Sequence, residues 1–99
     1  MKRKLKIIVK RIYFTTNLDY ESAIIFLINT LKSTGFINLT SKQKKSVLFN
    51  FLVCFDSFIS AIDNPKKRSK TFKDSESVLS WIDNKLYSLV CNIQHVKIY

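Results

Sequence analysis

The chain has 99 residues, 46% of them hydrophobic, with 17 basic and 7 acidic side chains and a formal net charge of +10. A chain of this length is expected to form one domain over residues 1–99, large enough to close a core without disulfides or a metal. Its apolar content excludes a disordered tail, and its single glycine and single proline exclude a turn-rich sandwich in favour of long helices joined by few turns.

The N-terminal segment, residues 5–14, carries two signals. Leu5, Ile8, Val9 and Ile12 keep helical spacing, but β-branched Ile7, Ile8, Val9 and Ile12, followed by Tyr13 and Phe14, favour a strand. A helix is expected over about residues 18–33. Asn17 is its expected N-cap, and Asp19 and Glu21 lie in the first turn, where the helix dipole favours carboxylates. Tyr20, Ala23, Ile24, Leu27 and Leu31 share a face, which Ile25, Phe26 and Ile28 widen. Gly35 stands where a left-handed residue ends a helix.

A second helix is expected over about 40–63, opened by Thr40 and Gln43 at capping-box spacing. Its middle, residues 47–55, is apolar almost all round, so it is expected to be the covered, central element of the core. Asn64 and Pro65 end it. After a basic loop, a third helix is expected over about 75–92, burying Val78, Leu79, Ile82, Leu86, Leu89, Val90 and Ile93, with Trp81 at the edge of that face. Residues 94–99 alternate and are expected to form a short strand. The expected fold class is therefore mostly α (α+β): three packed helices with short N- and C-terminal strands positioned to pair. The alternative is an all-α four-helix bundle with residues 5–14 as the fourth helix.

Cys54 and Cys91 both lie in apolar runs and are expected to be free, buried thiols, with a disulfide as the alternative. The three-residue apolar run after the basic N-terminus is too short for a signal peptide, and no stretch reaches the roughly 20 apolar residues of a membrane span. The expected location is intracellular, in cytoplasm or nucleus. Residues with A- and T-rich codons (Phe, Tyr, Met, Ile, Asn and Lys) number 46, against 7 for Gly, Ala, Arg and Pro. This composition points to an AT-rich genome: that of a virus or phage, a parasite, an organelle or a low-GC bacterium.

The residues for catalysis are scarce. One histidine and two cysteines without metal-ligand spacing hold no zinc site, and one glycine makes no phosphate-cradling loop. Cys91 and His95 have i, i+4 spacing, but a nucleophilic thiol also needs a positive, accessible setting and an oxyanion site. Asp19, Glu21, Asp74 and Glu76 are accounted for by helix N-termini. No enzyme activity and no cofactor are expected.

Charge patterning carries the functional expectation. Fifteen of the 17 basic residues fall in the acid-free segments 1–16, 32–45 and 64–73. If these share a face, they bind phosphates by counterion release. The expected function is that of a small basic accessory protein that binds nucleic acid, RNA or DNA. The expected phosphate contacts are Lys2, Arg3, Lys4, Lys6, Lys10, Arg11, Lys42, Lys44, Lys45, Lys66, Lys67, Arg68, Lys70 and Lys73, and Phe72 is the candidate for stacking on an unpaired base. With only three arginines, contact is expected mostly with the backbone and with weak sequence selectivity. The alternative is a viral or phage helical protein that binds a host protein, or a second copy as a homodimer, through Ile25, Phe26, Ile28, Phe49 and Trp81. A third candidate partner is an anionic membrane surface, met by the basic N-terminus with Ile7, Ile8 and Tyr13 inserted.

Overall fold

Helical spacing decides the N-terminal segment. Leu5, Ile8, Val9 and Ile12 gather apolar atoms on one stripe of a helix, whereas a strand would scatter them over both faces among Lys4, Lys6, Lys10 and Arg11. The computed structural model, which describes residues 2–62 and 75–98, accordingly places an α-helix, α1, at Lys2–Thr15. Ile8 and Ile12 are fully buried and Val9 nearly so. The expected N-terminal strand is thus corrected: burial of the stripe outweighs β-branched propensity, which is a weak, context-dependent term.

Three further α-helices follow: α2 at Tyr20–Ser33, α3 at Ser41–Ile62 and α4 at Ser75–Ile98. A 3₁₀ turn at Phe36–Asn38 lies between α2 and α3. The expected C-terminal strand is corrected as well, because α4 continues to Ile98. Among the described residues there is no strand to pair with, and only the helix satisfies those backbone groups locally. Of the two expected architectures, the all-α one fits.

The helix ends follow local chemistry. Asp19, not Asn17, caps α2: its backbone is extended (φ −73°, ψ 171°) and its Oδ1 accepts the Ser22 N–H at 2.7 Å. Gly35 takes φ 83°, the left-handed value that stops α2, and donates its N–H to the Lys32 carbonyl at 3.3 Å. The capping box at α3 forms as its spacing implies. The Gln43 N–H donates to Thr40 Oγ1 at 3.2 Å, and the Thr40 N–H donates to Gln43 Oε1 at 3.0 Å.

Packing sets the directions of the helices. Tyr13 and Tyr20 lie 6.1 Å apart across the α1–α2 corner, and Leu5 shares a groove with Ile28 and Leu31; α1 and α2 are therefore antiparallel. Lys4 meets Phe49 and Arg11 meets Asp56. Equal advances along both helices make α1 and α3 parallel. Trp81, near the start of α4, stacks on Phe58, near the end of α3, at 4.4 Å and 6°, so α4 returns along α3. The core is built from Ile8, Ile12, Val47, Leu48, Phe51, Phe55, Ile82, Leu86 and Val90, all fully buried. The apolar middle of α3 is not covered on all sides, as Phe49 and Val53 remain 59% and 52% exposed.

Both cysteines are free and half-buried. Trp81 lies against Phe55, which sets Cys54 level with the first third of α4. Because α4 runs antiparallel, Cys91 lies about 9–14 Å farther along that helix than the level of Cys54 at 1.5 Å per residue, outside the reach of roughly 7 Å between Cα atoms that a disulfide permits.

Two outcomes are expected. Phe55→Ala removes a fully buried ring and lowers stability by about 3–5 kcal/mol, measured by urea unfolding. The Ser22 backbone N–H, and then its hydroxyl, hold the Asp19 carboxyl below its usual 3.8. A lowered folded-state value means the cap stabilises fully above the usual carboxylate range and is lost as pH falls through the lowered value. Thermal melts of wild type and Asp19→Ala should therefore differ at pH 7 and converge in strong acid.

Candidate functional site

The directions of the helices bring the start of α1, the end of α2 and the start of α3 to one end of the bundle. That end carries Arg3, Lys4 and Lys6 from α1, Lys32 from α2, and Lys42, Lys44 and Lys45 from α3. The sequence holds no Asp or Glu over residues 1–18 or 22–55. Asp83 borders this end from α4, where it shares a shallow pocket with Ser33. The start of the first basic segment and the second segment thus lie toward one end, whereas Arg11, in the same first segment, lies farther along, level with Asp56. The third, with Lys66, Lys67, Arg68, Lys70, Phe72 and Lys73, lies outside the described residues. The helix ends that flank it, Ile62 and Ser75, lie at the other end of α3 from Lys42, about 30 Å away along the helix axis.

The outward face of α3 has a regular composition. Lys42, Lys45, Phe49, Val53 and Asp56 recur at helical spacing and all are exposed. Helix α1 flanks this stripe and reaches onto it twice. The Lys4 Nζ stands 5.7 Å from the centre of the Phe49 ring, within cation–π range. Farther along, the Arg11 guanidinium forms an ion pair with Asp56, which is the one carboxylate in the α3 sequence. The stripe therefore runs from two exposed lysines, through an aromatic ring with an ammonium over it, to a carboxylate paired with a guanidinium.

The expected phosphate contacts within the described residues differ in setting. Arg3, Lys6 and Lys10 are exposed on the outer face of α1, and Lys42 and Lys45 on α3. Lys4 and Lys44 are half-buried and spend part of their reach on rings, Lys44 Nζ lying 6.0 Å from the centre of Phe36. Arg11 is held by Asp56. Lys2 opens α1. Lys32, absent from the expected contacts, joins the same end because α2 runs back along α1.

The expected apolar contact residues also divide. Ile25 and Ile28 are about half exposed and Phe49 more so. Phe26 and Trp81 are partly buried against the core, and Trp81 is stacked between its phenylalanine neighbours. Tyr13, expected above only as a membrane-facing residue, belongs to a second exposed aromatic group: it packs edge-on against Phe14 at 5.2 Å and against Tyr20 at 6.1 Å. Its signal was the helical angle of Tyr13 and Phe14, opposite Ile8 and Ile12, which appears only when residues 2–15 are read as a helix.

Other chemistry is sparse. The groove between α1 and α2, about 290 Å³, is lined by aliphatic side chains, with Lys6 and Tyr20 as its polar members. Hydrogen bonding with the Cys91 thiol one turn on holds the Tyr87 phenol above its ordinary value. Among the described residues, no group of histidine, cysteine and carboxylate side chains could hold a metal ion. Nor, among the described residues, is any helix long and apolar enough to cross a membrane. No protein-family model, no curated protein and no solved structure matches this chain.

Proposed function

We propose that this chain is a small basic accessory protein that binds the phosphate backbone of RNA or DNA with weak sequence selectivity. What supports the reading is that exposed Arg3 and Lys6 near the start of α1 and exposed Lys42 and Lys45 near the start of α3 lie toward the same end of the bundle, in stretches of sequence without a carboxylate. Exposed lysines on rigid helices attract a polyanion over a Debye length and release its condensed counterions on contact. Lysine presents a point charge rather than the planar fork that reads guanine, which favours backbone contact over base-edge reading.

A gel-shift or anisotropy titration across salt concentrations tests this. Four to six phosphate contacts give a slope of log affinity against log salt of about −3 to −5. Lys45→Glu weakens binding, and Asp56→Asn, which releases Arg11 and removes a negative charge, strengthens it. No binding to any nucleic acid at low salt removes the reading.

A second reading is favoured by Ile25 and Ile28, each about half exposed on α2, with Ile28 lining the α1–α2 groove: contact with a second copy or with a host protein through an apolar helix face. Sedimentation velocity distinguishes it. A dimer that dissociates in Ile25→Lys supports self-association, and a monomer at all concentrations counts against it.

A further inference from the structure

The proposed polyanion reading leaves open whether the partner is paired or unpaired, and the α3 stripe bears on that question. Phe49 is 59% exposed although the Lys4 ammonium stands 5.7 Å from its ring centre. Lys45 lies one turn before it on the same face, and Lys42 continues the line. The ring therefore lies among cations and is still open to solvent. An aromatic in that setting matches the stacking platform of single-strand binders, where lysines follow the phosphates and a ring takes the face of a base. A duplex keeps its base faces inside the stack and can offer this ring only its backbone, so burial of Phe49 would contribute nothing to duplex binding.

We infer that the Phe49 corner, bounded by Lys4 and Lys45, is a stacking site for an unpaired base, so that the chain prefers single-stranded nucleic acid to duplex. This rests on the backbone-binding reading above. Its physical basis is charge complementarity around an exposed ring. Neutralisation of Asp56 by Arg11 extends that complementarity, because a strand running along the stripe past Val53 does not meet an unpaired carboxylate.

The test uses the full chain and two labelled probes of equal charge, an oligothymidine and a duplex, titrated at one low salt concentration. The single strand should bind more tightly. Phe49→Ala should weaken single-strand binding by about 5- to 100-fold, the loss of one stacked base, and leave duplex binding unchanged. Phe49→Trp should retain the preference, and quenching of the new indole by the oligothymidine should report the stack directly against the quenching-free duplex. Equal affinity for both probes, unaltered by Phe49→Ala, would overturn the stacking site while leaving backbone binding intact. Absence of binding to either probe would remove the underlying reading instead. A dimer that Phe49→Ala dissociates would assign the ring to self-contact and overturn the inference. The substituted ring is exposed, so unfolding is not the expected source of any loss, and circular dichroism of each variant checks that directly.

Discussion

The stacking of Trp81 on Phe58, continued through Phe55 to Phe51, fixes how α3 is rotated. Three aromatic side chains on one side of α3 meet one indole from α4, and Phe51 and Phe55 are fully buried as a result. A helix that must keep those rings inward has no freedom to turn its other side in. Phe49 and Val53 face solvent because of it, on the side where Lys42 and Lys45 keep their charges in water. The cost of exposing Phe49 is about that of one unburied ring, and the gain inside is several.

Helix α1 completes the arrangement through the same geometry. Its narrow apolar stripe admits one orientation, with Ile8 and Ile12 in the core. That orientation sends Lys4 and Arg11 to the α3 side and Arg3, Lys6 and Lys10 outward. The basic residues of one short segment thus acquire different tasks. Arg11 has the planar, always-charged fork suited to a carboxylate, and it pairs with Asp56. Lys4 lays its stem beside α3 and its ammonium at an aromatic ring. The remaining cations have no partner of opposite charge on their own helix, whose sequence contains no acid.

Much of the helical framework was legible in the sequence. Gly35 as a left-handed stop, the Thr40–Gln43 box and the buried face of α4 all rest on local chemistry that tertiary packing did not disturb. The two terminal segments were not legible, for different reasons. In residues 5–14, β-branched propensity and helical periodicity pointed opposite ways, and only the presence of a core to receive Ile8 and Ile12 decides between them. In residues 94–98, a short alternation resembles a strand, but a strand needs a neighbour, and that neighbour was the segment already misread. The N-cap was misplaced by two residues because Asn17 and Asp19 are both good caps, and the choice depends on where the preceding chain turns. The candidate site was legible as a list of charges and not as a place. Linear clustering could not reveal that Lys32 joins the basic end, that Arg11 is occupied, or that Phe49 stands beside Lys4.

The axial separation of Cys54 and Cys91 has a chemical consequence of its own. With the two thiols on different levels of the α3–α4 pair, oxidation cannot staple the fold closed, and a cystine can form only between molecules. Both cysteines are half-buried, which limits the approach of a second molecule to either thiol. The molecule therefore gains nothing in robustness from an oxidising environment and can be handled with reductant at no cost to its tertiary structure.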